Sequence, residues 1–172
     1  MKSFFDTIFT RVSMRTFLPT PIATEEVDQL LRSAMAGPTA SNKQPWDFVI
    51  IRNRAVLDFL ASELPYAKMA ALAPLGIVVC AAPERAYEGS KDYAIVDTSI
   101  ACTHLILAAE AMGLGAVWTA LFPQVEREAT VRQVLAIPEN VVPLSFVLIG
   151  RPRMRLKAKE KYQEANIHCE QW

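Results

Sequence analysis

Two arginines four residues apart, Arg11 and Arg15 in "TRVSMRTF", bracket Ser13 just ahead of the proline-interrupted stretch "LPTPIAT". The spacing brings both side chains to one side whether the chain is helical or extended. Two guanidiniums held together repel unless an anion lies between them, and their planar donor forks suit phosphate or carboxylate. Two readings stand on these residues: a site for a phosphate-bearing ligand, or a pair of solvated surface charges that contributes little. A second basic cluster lies in "GRPRMRLKAKEK", where Arg151, Arg153, Arg155, Lys157, Lys159 and Lys161 occupy every odd position. In an extended chain all six face one way. No aromatic residues interleave to stack single-stranded bases, which leaves a local phosphate site or a solvated basic edge that deters sheet pairing.

The nucleophiles and bases form no constellation. Cys102 and His104 are two apart in a helical stretch and point to different sides of it. Asp97 lies two turns before His104, about 10 Å along a helix axis and too far for a direct bond. His104 reads as a satisfied core histidine and Asp97 as structural, and His168 with Cys169 sits in the tail. With two histidines in all, a metal cluster is not expected. The glycines of "GLGAVW" are no dinucleotide fingerprint, because Trp118 holds the third glycine position and the pair follows a helix and precedes a strand. What remains is two basic clusters, a proline-bounded polar loop carrying Ser41, Asn42 and Gln44, and a turn containing Trp118. A chain with binding groups but no acid, base or nucleophile leaves the hard chemistry to a cofactor.

Composition narrows the class. The 172 residues suffice for one domain over 1–172, with a core that needs no staples. Lysine plus arginine equal aspartate plus glutamate at 18 each, so no global field draws the chain to nucleic acid or an anionic membrane. Cys80, Cys102 and Cys169 are odd in number and lack metal-ligand spacing, and a reducing, cytoplasmic setting is expected. The longest apolar run, "MAALAPLGIVVCAA", carries Pro74 and Gly76, is too short to cross a bilayer, and reads as a helix end entering a buried strand.

The elements that must position these residues follow from periodicity. "MKSFFDTIFTR" reads as a first helix without a leader-like apolar core. "IATEEVDQLLRSAMAG" is an amphipathic helix with Thr24 as cap candidate. The loop "PTASNKQP" leads into a strand at "WDFVIIR"; "RAVLDFLASEL" is helical and "LGIVVCAA" a central strand. Residues 92–112 form a helix apolar nearly all round, buried in the core or at a subunit interface. "GLGAVWTALFP" runs into a strand and a loop, "QVEREATVRQVLAI" is an amphipathic helix, and "VVPLSFVLIG" a buried strand. Without a regular strand-helix alternation, the fold class is α+β.

The motifs "RVSMRTF", "GPTASNKQPWDF", "GLGAVW", "IGRP" and "KYQEANIHCEQW", in that order, resemble the FMN-dependent nitroreductase family over essentially the whole chain. The resemblance implies an intertwined homodimer with a central, mostly antiparallel sheet flanked by helices and extended by the partner's C-terminal segment, and FMN at the interface. It implies that Arg11, Ser13 and Arg15 hold the phosphate and ribityl chain. Pro38, Thr39, Ala40 and Ser41 would pack on the flavin ring from the other subunit. Asn42 and Gln44 would bond the flavin or brace that loop. Trp118, Thr119, Ala120 and Leu121 would approach the ring near N5, and Lys159 and Lys161 would reach the phosphate. The sequence departs from the family at Thr39 and Ala40, where one hydroxyl is missing, and Lys68 is the nearest match to a lysine at the pyrimidine edge.

The implied activity is two-step transfer through flavin N5, with NADH or NADPH as reductant and nitroaromatics, quinones or similar small molecules as acceptors. A cation near the pyrimidine would stabilise the charge that develops there. The rivals are a specialised flavoenzyme of the same fold, of dehalogenase or flavin-fragmenting type, and a non-catalytic flavin- or nucleotide-binding module. The short span between Lys68 and Ala94 leaves little room for a lid and favours the plain reductase.

Overall fold

The computed structural model describes residues 3–154 and 156–172. Four strands form one antiparallel sheet: β1 (Trp46–Ile51), β2 (Leu75–Ala81), β3 (Gly115–Ala120) and β4 (Val142–Gly150), in the order β1-β2-β4-β3. The helices are α1 (Phe4–Thr10), α2 (Thr24–Met35), α3 (Arg54–Glu63), α4 (Lys91–Ala111) and α5 (Val125–Leu135). The α+β expectation holds, as does each expected strand.

The central strands β2 and β4 are buried along their whole length, because both sheet faces are covered. Leu75, Ile77, Val79, Val147 and Ile149 face one layer, where Leu30 and Ala34 of α2 and Cys102, Leu105 and Ala109 of α4 pack. The alternate residues Val78, Cys80, Phe146 and Leu148 face Leu57 and Leu60 of α3 and Val131 of α5. Period-two alternation thus divides one apolar run between two cores. Pro143, which has no N–H to give, sits where the β2–β4 register shifts between Val79 and Cys80. The carbonyl of Leu144 there accepts from Leu121 and Phe122 at 3.1 Å each, which steers the chain out of β3.

Several local expectations are corrected. The amino-terminal cap of α2 is Ala23, not Thr24: the Glu26 carboxylate accepts from the Ala23 N–H at 2.9 Å and a side-chain hydroxyl is not used. The segment before β2 is a 3₁₀ turn, Lys68–Ala71, because Pro74 stops any longer helix. α5 buries only Val131 fully. α4 is long and apolar enough to span a bilayer by length, yet its face of Ala94, Asp97, Ala101, Cys102, Leu105 and Ala109 is buried against the sheet. It is not buried all round: Tyr93 and Val96 are exposed on the opposite side. His104 is half-buried and makes no hydrogen bond among the described residues, so it is not a satisfied core histidine.

Residues 11–17 take the extended of the two conformations open to the arginine pair. The segment is extended, with Ser13 bridged in parallel to Ala116 of β3 and Phe17 bridged to Pro152. Met14 donates its N–H to the Ala116 carbonyl at 2.9 Å and lies flat on Gly115, where an added Cβ would come within 2.5 Å of Met14 Cγ and 2.7 Å of its Cβ. Only a residue without a side chain lets the segment lie this close.

Gly115→Ala is therefore expected to destabilise the fold by about 1–3 kcal/mol through overpacking, read by urea denaturation. Glu26 offers a second check. The Ala23 N–H holds its carboxyl below the ordinary carboxylate range; burial opposes this, and Arg151 at 2.8 Å adds to the lowering. A depressed folded-state value stabilises at pH above the unfolded value of 4.5 and is lost as pH falls through the folded one. Glu26→Gln should therefore lower the melting temperature at pH 7, and the difference from wild type should shrink as the pH drops below about 4.5.

Candidate functional site

The extended 11–17 segment puts its odd residues on one side. Arg11, Ser13 and Arg15, with Val12, line a cavity of about 420 Å³ whose opposite wall is Leu156, Lys157, Lys159 and Lys161. Five cations and no acid surround it. Arg15 donates from Nη1 to the Ser13 carbonyl at 3.3 Å, which turns its guanidinium back along the segment. The second basic cluster does not act as one row. Arg151 turns away to Glu26. Arg153 lines a different cavity, of about 660 Å³, with Arg52 and Arg54, and Arg155 lies outside the described residues. Among the described residues of the row, only the lysines at 157, 159 and 161 face the arginine pair.

Arg15 also lines a second cavity, of about 510 Å³, with Pro65, Tyr66, Lys68, Met69, Val117, Trp118, Thr119, Ala120 and Arg127. Arg15 thus lines both a compartment with five cations and one where Lys68 and Arg127 stand among mostly apolar residues. Trp118, Thr119 and Ala120 belong to strand β3 and not to a turn. The Thr119 hydroxyl is spent on the Phe146 carbonyl at 2.5 Å, while Leu121 is buried in the core and does not line this cavity. Lys68 is here, on the 3₁₀ turn that Pro74 terminates.

The loop Pro38–Gln44 lines neither cavity. It is nevertheless shaped tightly. Ser41, Asn42 and Gln44 all adopt left-handed backbone, at φ 50°, 54° and 51°, a conformation that strains non-glycine residues by about 1–3 kcal/mol each. The strain is held by a local net: the Thr39 hydroxyl accepts from the Gln44 N–H at 3.1 Å, and the Gln44 amide donates to Asn42 Oδ1 at 2.9 Å. The net is tied to the core by Asp97, 3% exposed, whose carboxylate accepts from the Ala40 N–H at 3.2 and 3.3 Å. Asp97 is structural, as its sequence position implies, and Ala40 contributes a backbone group where a hydroxyl is missing.

Neither buried thiol competes as a nucleophile. Burial pushes Cys80 and Cys102 each up to about 12, so both are protonated at neutral pH, and Cys102 rests 3.3 Å from the Ser145 hydroxyl. Among the described residues no group of three metal-ligating side chains exists. The site can bind an anion and a flat apolar body side by side, and it offers no acid or base to transform them.

The family model described as Nitroreductase family matches residues 8–71 and 55–151. The chain belongs to the nitroreductase family. It is 35% identical over 167 residues to a Methanothermobacter thermautotrophicus protein whose name proposes an NADH dehydrogenase/NAD(P)H nitroreductase, covering 97% of this chain and 86% of that one. It is also 28% identical to a Bacillus subtilis protein named FMN reductase [NAD(P)H], over 92% of this chain and 70% of that protein. A Bacteroides thetaiotaomicron structure, whose name proposes the same activity as the first, superposes with a TM-score of 0.93 at 40% identity, over 100% of this chain and 99% of that one.

Asp97, which tethers this loop, lies outside the motifs read from the sequence. Its signal is a lone acid on the buried face of an apolar helix. Asp97→Ala should leave the Ala40 N–H unpaired and the strained loop untethered, costing roughly 1–3 kcal/mol by chemical denaturation.

Proposed function

We propose that the protein is an FMN-dependent NAD(P)H oxidoreductase that reduces small acceptors such as nitroaromatics and quinones. The observation that carries this reading is the pair of cavities that share Arg15, one ringed by five cations and the other lined by Lys68, Arg127 and mostly apolar residues. The donor set fits the cofactor: a phosphate dianion matches the basic compartment, and a flat ring matches the wall of Val117, Trp118 and Met69. FMN, when bound, supplies the hydride chemistry that these side chains lack.

In this reading Arg11, Ser13 and Arg15 hold the phosphate and ribityl chain. Lys159 and Lys161 close over the phosphate as point charges without a bidentate fork. Lys68 and Arg15 carry positive charge to the pyrimidine edge, where it favours the reduced ring. Trp118, Thr119 and Ala120 supply the backbone floor near N5, and Leu121 fixes that floor from the core.

The loop Pro38–Gln44 completes the ring site from a second subunit, with Pro38, Thr39, Ala40 and Ser41 over the ring and Asn42 and Gln44 bonding or bracing it. Three features support a homodimer: the loop stands outside both cavities, Tyr93 and Val96 on α4 are exposed, and α1 exposes Phe4, Phe5 and Phe9. The C-terminal residues 161–172 are exposed throughout and could extend a partner's sheet at β1, whose outer edge is unpaired. Residues 82–90 form only two short turns ahead of α4, which leaves no lid insertion and favours a plain reductase over a specialised flavoenzyme.

The purified protein should be yellow or take up added FMN, and anaerobic NADH or NADPH should bleach it; a colourless protein that takes up no FMN would contradict the reading. Arg11→Ala and Arg15→Ala should each weaken FMN binding by about 1.5–3 kcal/mol, the worth of a charged hydrogen bond, or roughly 10- to 150-fold.

A further inference from the structure

Taking the two cavities as a flavin site, charge is left over. The phosphate of FMN carries about −1.5 to −2 charges, and Arg11, Lys157, Lys159 and Lys161 line the cavity assigned to it. The oxidised ring is neutral, and the cations of Lys68 and Arg15 meet the negative charge that develops at its pyrimidine edge. Arg127 is not needed by either part of the cofactor.

Its setting is specific. Arg127 comes from the first turn of α5, and its Nη1 donates to the Ala120 carbonyl at the end of β3, at 3.1 Å. Its guanidinium carbon lies 4.9 Å over the ring of Tyr66, which is 68% exposed. No carboxylate pairs with it among the described residues, although Glu126 and Glu128 flank it in sequence. A guanidinium has five N–H donors in a planar fork, and one carbonyl bond leaves the others available. The ring fixes its orientation by a cation–π contact. Beside it the cavity is lined by Met69, Val117 and the backbone of β3, and none of the residues lining it is acidic.

We propose that Arg127 and Tyr66 select the acceptor, so that this enzyme prefers flat aromatic acceptors bearing a carboxylate or sulfonate. The aromatic body lies along Tyr66 and Met69, and the anion takes the free N–H groups of Arg127. Pyrophosphate of the reductant is the competing anion, but an exposed flat ring packed on the cation favours an aromatic ligand over a flexible diphosphate.

The test uses the FMN-loaded protein and two ligands that cannot be reduced, naphthalene-2-sulfonate and its neutral sulfonamide, titrated by calorimetry. Wild type should bind the sulfonate at least about tenfold more tightly at low salt, with the preference shrinking as salt rises. Arg127→Gln should bring the two affinities within about threefold, while Arg127→Lys keeps part of the preference. The same ratio should appear in kcat/KM for a sulfonated against a neutral quinone. Equal affinities in wild type, or an unchanged ratio in Arg127→Gln, would overturn the proposal. So would a variant in which only NADP⁺ titration weakens, since Arg127 would then anchor the dinucleotide. Failure of the cofactor reading is separately visible: wild type would show no flavin absorbance before any ligand is added, and the proposal would fall with it. A cooperative melting transition in each variant keeps misfolding from imitating a lost contact.

Discussion

Met14 lies on Gly115 so closely that a single methyl group there would come within 2.5 Å of its Cγ. That fit, with the bond from the Met14 N–H to the Ala116 carbonyl, pins residues 11–17 beside β3 in an extended form. Once the segment is extended, alternation sends Met14 into the core and Arg11, Ser13 and Arg15 toward one cavity. The convergence of Arg11, Ser13 and Arg15 on one cavity is therefore a consequence of packing. Had the segment been helical, the two arginines would still have shared a face, but Ser13 would not have stood between them.

The fold was largely legible because its strands carry strong local signals. "LGIVVCAA" and "VVPLSFVLIG" are apolar on both faces, and only a sheet covered on both sides accommodates that. Helix α4 was legible in extent and not in environment. Its apolar residues encircle the helix, and periodicity alone cannot say that Tyr93 and Val96 face outward in one chain. Thr24 misled as a cap because Glu26 reaches back to the Ala23 N–H, a bond set by side-chain length and not by the residue at the cap. The basic row misled in a different way. Equal spacing holds six side chains on one face only if the chain stays straight, and Arg151 and Arg153 instead engage Glu26 and a separate cavity.

The candidate site shows the same division. Arg11, Ser13 and Arg15 were readable from spacing, whereas Arg127 and Tyr66 were not: they sit on different elements and meet only over the end of β3. Asp97 was visible as a buried acid, but its partner, the Ala40 N–H, lies 57 residues away. The loop it tethers keeps three non-glycine residues in left-handed backbone. Such strain persists where the surroundings over-determine it. A loop held at that cost stands outside both cavities of its own chain, which supports the proposal of a site shared between two chains.

The central claim is that each flavin site takes its jaw from one chain and its loop from the other, and mixed dimers test it directly. One subunit carries Arg11→Ala with Arg15→Ala, the other Asn42→Ala with Gln44→Ala, and differently tagged heterodimers are isolated. If the loop acts across the interface, one of the two sites combines an intact jaw with an intact loop. The heterodimer should then bind close to one FMN per dimer, while each parent homodimer binds far less. If jaw and loop act within one chain, every site carries a defect, and a heterodimer no better than its parents would contradict the account.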